Sequence, residues 1–140
     1  MGAYNCANVV GRAIESIQSQ TFEDWEFIIC DDCSKDDTYK TVKGYADNDK
    51  RIILIKNEQN SRLAYTLNHC LSVATGEYVA RMDADDISLP HRLAKQVAFL
   101  DTHSEYAVVG SGVILYDDNG DRQVLLNKKV PIVREMKHGV

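Results

Sequence analysis

Three carboxylates within four positions, Asp83-Ala84-Asp85-Asp86, follow directly on the apolar run Tyr78-Val79-Ala80-Arg81-Met82. Like charges this close repel one another, so a fold that gathers them calls for a cation. Along extended chain, side chains two apart share a face, which points Asp83 and Asp85 together and Asp86 away. A hard divalent ion such as Mg²⁺ or Mn²⁺ takes one or two protein carboxylates and fills its shell with water and phosphate oxygens. The chemistry suggested is the binding of a nucleotide diphosphate. The plainer alternative is a set of strand-end aspartates that cap the next helix. A second acidic pair, Asp31-Asp32, follows another apolar run, Trp25-Glu26-Phe27-Ile28-Ile29-Cys30.

The elements that must position these carboxylates alternate between helix and strand. Asn8 to Gln20 places Val9, Val10, Ala13, Ile14 and Ile17 on one helical face. Trp25 to Cys30 has strand length. Asp36 or Asp37 caps a helix through about Tyr45-Ala46, with Tyr39 and Val42 inward. Ile52 to Ile55 is a second strand. Ser61 to Ala74 is a helix with Leu63, Ala64, Leu67, Leu71 and Ala74 in period and Gly76 as its stop. A strand over Tyr78 to Met82 leads into the aspartates. Ser88-Leu89-Pro90 opens a helix through about Thr102, with Leu93, Val97 and Leu100 inward. Ala107 to Tyr116 reads as a strand, Asp118-Asn119-Gly120 as a turn and Gln123 to Leu126 as the hairpin partner. This alternation predicts an α/β fold, a mostly parallel sheet flanked by helices with a C-terminal β-hairpin. In open α/β sheets ligands bind beyond the carboxyl ends of the strands, where both acidic clusters fall.

At 140 residues, with 44% hydrophobic and 26% charged, the chain suits one domain with a single core. Its net charge of −5 and lack of basic clusters argue against nucleic acid as a partner. No apolar stretch reaches membrane-spanning length and the N-terminus carries no signal pattern, which favours the cytoplasm. Cys30-Asp31-Asp32-Cys33 is formally a C-x-x-C. A zinc site would need a second pair, and Cys6 and Cys70 stand apart, so reduced cysteines packed as small hydrophobes are expected. His69, His91, His103 and His138 show no metal-ligand spacing and are expected on surfaces or helix faces.

The ordered segments resemble the family 2 glycosyltransferases, which have the GT-A (Rossmann-like) nucleotide-sugar-binding fold. The matching pieces begin with Ala3-Tyr4-Asn5, the stretch from Ala13 to Phe22, and Trp25 to Thr38 with Asp31-Asp32 inside it. They continue with Leu67-Asn68, Ala74 to Val79, Asp83 to Asp86 and Pro90 to Leu93. The resemblance runs in order from residue 1 to about Leu100. It implies that Tyr4 packs against the donor's nucleobase, with the backbone of Gly2 and Ala3 close to it. Asp32 matches the carboxylate that binds the base edge. Asp83 matches the first DxD position, near ribose and metal, and Asp85 the metal-binding position. The implied cofactors are a divalent metal (Mg or Mn) and a nucleotide-sugar donor, with UDP favoured over dTDP or GDP. The implied reaction is inverting transfer to a saccharide or lipid-linked acceptor in cell-surface polysaccharide or glycolipid synthesis. Peripheral association of the full-length enzyme with the inner face of the membrane is compatible with it.

Each assignment has a plainer rival: Tyr4 as core, Asp31 and Asp86 as structural, Arg62 and Arg81 as surface cations rather than phosphate contacts. Residues 1–140 are expected to be one incomplete donor-binding domain, lacking the first strand and the acceptor part. The catalytic base is unassigned; Asp101, Glu105, Asp117 and Asp118 are available and none is chosen. An EF-hand counted from Asp83 fails, because Ile87, Ser88 and Ala94 occupy its fifth, sixth and twelfth positions. Two other readings stay open. A Mg²⁺-binding phospho-accepting signalling domain would use Asp31-Asp32, Asp83 and Lys128 or Lys129. A nucleotide-binding fragment without catalysis would use the same donor site.

Overall fold

The computed structural model describes residues 1–116 and 122–125. The chain divides into two compact units, Met1–His91 and Arg92–Val140. In the first, three parallel strands, β1 (Gly2–Ala3), β2 (Phe27–Asp31) and β3 (Ile52–Lys56), lie in the order β1-β2-β3. They alternate with helices α1 (Val10–Gln18), α2 (Thr38–Asn48) and α3 (Arg62–Val73). The register sets Ala3, Asp31 and Lys56 in one row across the sheet. The loops that follow the three strands therefore emerge side by side, which is what assembles a site there.

Every residue of β2 is buried, as expected of a central parallel strand covered on both faces. Its side chains alternate. Phe27 and Ile29 join Val10, Ala13, Ile14, Ile17, Val42 and Ile52 in one cluster, while Ile28 and Cys30 meet Cys70 in another. The α1 face predicted from periodicity is the buried one at Val10, Ala13, Ile14 and Ile17. Asp36, rather than Asp37, caps α2: its Oδ1 accepts from the Thr38 amide (3.0 Å) and hydroxyl (2.6 Å). Val42 is fully buried, whereas Tyr39 is exposed with the Lys56 ammonium 5.0 Å above its ring.

Two further expectations fail in this unit. The apolar period of α3 does not face the core: Leu63, Ala64 and Leu71 are exposed, and Thr66 and Cys70 are the buried positions. Close approach decides this face. A Cβ on Gly2 would stand 3.1 Å from Thr66 Cγ2 and 3.4 Å from Leu63 Cδ1, so α3 settles onto β1 over a glycine. Nor is Tyr78 to Met82 a strand. Tyr78, Val79, Ala80 and Arg81 are exposed, and only Met82 enters the core. A strand needs a neighbouring edge for its amides. The two residues of β1, already paired with β2, offer an additional strand very little.

The second unit contains α4 (Arg92–Thr102), β4 (Val113–Tyr116) and β5 (Arg122–Leu125). Leu93 is buried and Val97 and Leu100 are half-buried. Phe99 and His103 stack at 4.3 Å, with Tyr106 tilted against Phe99. Residues Ala107 to Gly112 are irregular rather than strand. β4 and β5 pair antiparallel, Val113 opposite Leu125. The expected turn at Asp118-Asn119-Gly120 lies outside the described residues, as do Asp117, Lys128, Lys129 and His138.

Candidate active site

Asp32 stands one residue beyond the end of β2 and is 4% exposed. A nearly buried carboxylate must be hydrogen-bonded to stay ionised. Its Oδ1 accepts from Asn57 Nδ2 (2.7 Å) and the Ser61 amide (2.8 Å), and its Oδ2 from the Arg62 amide (2.9 Å). Burial pushes the carboxyl pKa up, but these bonds outweigh it and hold the group below the ordinary carboxylate value. With about four acceptor sites on a carboxylate, Oδ2 keeps capacity for another donor. Neighbouring Asp31 turns inward: fully buried, it accepts from the Ser34 amide (3.2 Å), with the Lys56 ammonium at 4.0 Å.

Among the described residues, three non-glycine residues have left-handed backbone: Asn5 (φ 47°) and Cys33 (φ 61°) in the loops after β1 and β2, and Arg62 (φ 67°) at the first position of α3. Such conformations persist where surrounding bonds over-determine them, and they concentrate at functional sites. Here four bonds lace the first loop to the second. The Asn5 amide donates to Ser34 Oγ, the Lys35 amide to Asn5 Oδ1, the Cys6 amide to Thr38 Oγ1 and the Ala7 amide to Asp36 Oδ2. Tyr4 sits within that laced loop and is 45% exposed as a residue, so it is not core. Gly2 and Ala3 precede it; the Ala3 carbonyl accepts from the Asp32 amide (2.8 Å), coupling the tyrosine loop to the carboxylate.

Asp83 and Asp85 lie in a turn rather than on extended chain, because the Asp86 amide donates back to the Asp83 carbonyl at 3.3 Å. Arg81 Nη2 donates to both carboxylate oxygens of Asp83 at 2.8 and 3.1 Å on the surface, while Asp85 is exposed without an ion pair among the described residues. The segment that carries them is fastened at both ends. Glu26 Oε1 accepts from the amides of Thr75 (2.6 Å) and Gly76 (2.8 Å). At the other end Ser16 Oγ accepts the Ser88 amide, Gln20 Nε2 donates to the Leu89 carbonyl and the Thr21 amide to the Pro90 carbonyl. No group of three His, Cys, Asp or Glu residues able to hold a metal alone occurs among the described residues. Two carboxylates at a surface turn suit an ion that draws its remaining ligands from water and phosphate.

Sequence reasoning missed Asn57, Ser61 and His69. Asn57 links Asp32 to Thr66 Oγ1 (2.9 Å) and meets His69 Nδ1 (2.8 Å), so His69, on a helix face as expected, also belongs to a polar network. A polar residue immediately after β3, at the carboxyl edge of the sheet, was the available signal. The cysteines are free: Cys30 bonds to Asn57 Oδ1 and Cys33 to the Glu58 carbonyl. Burial pushes the Cys30 thiol up to about 12, which keeps it a protonated donor.

The family model for glycosyl transferase family 2 matches residues 1–138. EpsE of Bacillus subtilis (strain 168) is 52% identical over 132 residues, which cover 94% of this chain and 48% of that protein. The Escherichia coli UDP-Glc:alpha-D-GlcNAc-diphosphoundecaprenol beta-1,3-glucosyltransferase WfaP is 37% identical over 106 residues, 76% of this chain and 41% of that one. Among solved structures, S. aureus TarS 1-349 in complex with UDP-GlcNAc superposes with a TM-score of 0.70 at 28% identity, over 82% of this chain and 36% of that one. The mannosyltransferase PcManGT from Pyrobaculum calidifontis, in complex with GDP-Man and Mn²⁺, gives 0.65 at 28% identity, over 79% and 32%. The chain thus spans half or less of the length of these relatives. In family, and in the GT-A arrangement of its parallel sheet and helices, the chain belongs to glycosyl transferase family 2.

Proposed function

We propose that this chain is the donor-binding part of a metal-dependent, inverting glycosyltransferase that uses a UDP-sugar and a saccharide or lipid-linked acceptor, in cell-surface polysaccharide or glycolipid assembly. The reading is supported most by Asp32, a nearly buried carboxylate held ionised at the end of the central strand with acceptor capacity left on Oδ2. An acceptor-only group suits the imide N–H of uracil. Tyr4, exposed in the adjoining loop and tied to Asp32 through Ala3, offers a ring face to the base, with the Gly2 backbone alongside. Asp83 and Asp85 would hold a divalent metal against the diphosphate, and Arg81 would yield Asp83 to it. Bound there, a metal ion supplies positive charge where the leaving diphosphate accumulates negative charge. Acceptor choice and the base that deprotonates the acceptor hydroxyl are assigned to no described residue. No described helix is long and apolar enough to cross a membrane, and the proposed setting is the cytoplasm, at the inner membrane face in the full-length enzyme.

Calorimetric titration with UDP, with and without Mn²⁺, tests this. Metal-dependent binding in the micromolar to millimolar range is expected, and Asp85→Ala should abolish the metal dependence. Folded protein that binds no nucleotide diphosphate in a metal-dependent way would overturn the site assignment.

A further inference from the structure

We propose that Asn57 is a positioning residue for nucleobase recognition, held in one amide orientation by Thr66, so that Asp32 presents one fixed acceptor to the base. The inference rests on the reading of Asp32 as the base-binding carboxylate. Its support is the assignment of donors and acceptors around one side chain. The Thr66 hydroxyl donates to the Arg62 carbonyl at 2.9 Å, so its oxygen is left to accept from Asn57. Asn57 Nδ2 has two protons, and its two partners are Asp32 Oδ1 at 2.7 Å and Thr66 Oγ1 at 2.9 Å. Asn57 Oδ1 must then accept, and its neighbours are His69 Nδ1 at 2.8 Å and the Cys30 thiol at 3.4 Å. This fixes the His69 proton on Nδ1.

A flipped amide would aim its oxygen at an ionised carboxylate and leave Thr66 Oγ1 without its donor, so only one orientation is satisfied. The backbone of Asn57 is fixed too, because its amide donates to the Asp31 carbonyl at 2.9 Å. The residue is 4% exposed and reaches Asp32 from a different strand, so it sets the direction of the carboxylate without touching the ligand. The titratable groups against its side chain are Asp32 and Cys30 from β2 and its end, and His69 from α3; Asp31 meets it through backbone only. A rigid, ionised acceptor accepts the imide proton of uracil and faces the bare ring nitrogen of cytosine, so its orientation governs UDP-over-CDP discrimination.

The test measures UDP and CDP affinity for the wild-type chain and for Asp32→Asn, Asn57→Leu and Asn57→Asp, with folding checked by circular dichroism. Asp32→Asn should weaken UDP at least about tenfold, the loss expected when a charged hydrogen bond goes. Asn57→Leu should lower the UDP-to-CDP preference itself, whereas a merely structural role would weaken both nucleotides equally. Asn57→Asp is nearly isosteric and remains informative if the leucine variant does not fold. At about pH 5 the shared proton lets the new carboxyl donate to Asp32, and UDP binding should approach wild type at the same pH. At about pH 8 both groups are charged, and binding should fall to about a tenth of wild type or lower. Wild-type-like preference in Asn57→Leu, or a wild-type-like pH profile in Asn57→Asp, would overturn the positioning role while a deficient Asp32→Asn leaves the base-site reading intact. UDP binding unchanged by Asp32→Asn would overturn that reading and the inference with it.

Discussion

Asp32 keeps its charge in a nearly buried place because one side-chain amide and two backbone amides converge on it. The depressed carboxyl has a consequence for stability. An unfolded aspartate titrates near about 3.9. The Asp32 contribution is therefore fully present above about pH 4 and is lost as pH falls through the lower folded value. Asp32→Asn should cost about 2 kcal/mol at neutral pH, since an amide cannot accept on both sides. The gap to wild type should narrow in acid, as urea melts at about pH 7 and about pH 3 would show. An equal deficit at both pH values would mean that shape, and not charge, is what the site requires. The acidic residue was legible in the sequence because it follows an apolar run of strand length. Its partners were not. Asn57, Ser61 and Arg62 are distant in sequence, and nothing local in their residue types reveals that they meet around one carboxylate.

Helix α1 followed its sequence pattern because a face that is apolar but for Ser16 met an apolar sheet face, where the period decides orientation. Helix α3 did not. Thr66 is drawn inward by Asn57 and seated over Gly2, so a polar network and a close contact outrank its leucine period. Gly2→Val should separate α3 from β1 and cost about 1–3 kcal/mol, the range for overpacking, measurable as a lowered urea midpoint. Stability equal to wild type would show that the Thr66 methyl can move aside freely. The segment before the aspartates misled in a different way. Tyr78 to Met82 has strand composition, but strands are made by neighbours, and composition does not report whether an edge is available.

On the scale of the molecule, the parallel alternation of strand and helix was legible because each apolar run has the length of its element. The row Ala3, Asp31 and Lys56 was not, since register depends on pairing across the sheet. That row puts the proposed nucleotide site on three loops at once, so a bound donor should stabilise the folded chain as a whole. At about one hundred times its dissociation constant a ligand adds about 2.7 kcal/mol. UDP with Mn²⁺ should raise the urea midpoint accordingly, and Asp85→Ala should remove the part that requires Mn²⁺. A midpoint indifferent to both would mean that no site forms from these loops.

The fastening of the acidic segment has a mechanical meaning. Glu26 secures one end at Thr75 and Gly76, while Ser16, Gln20 and Thr21 secure the other at Ser88, Leu89 and Pro90. All four anchors belong to the single stretch running from α1 to the start of β2. A pull on Asp83 or Asp85 is thus carried into one continuous piece of chain and, through Met82 between the anchors, into the core that backs the sheet.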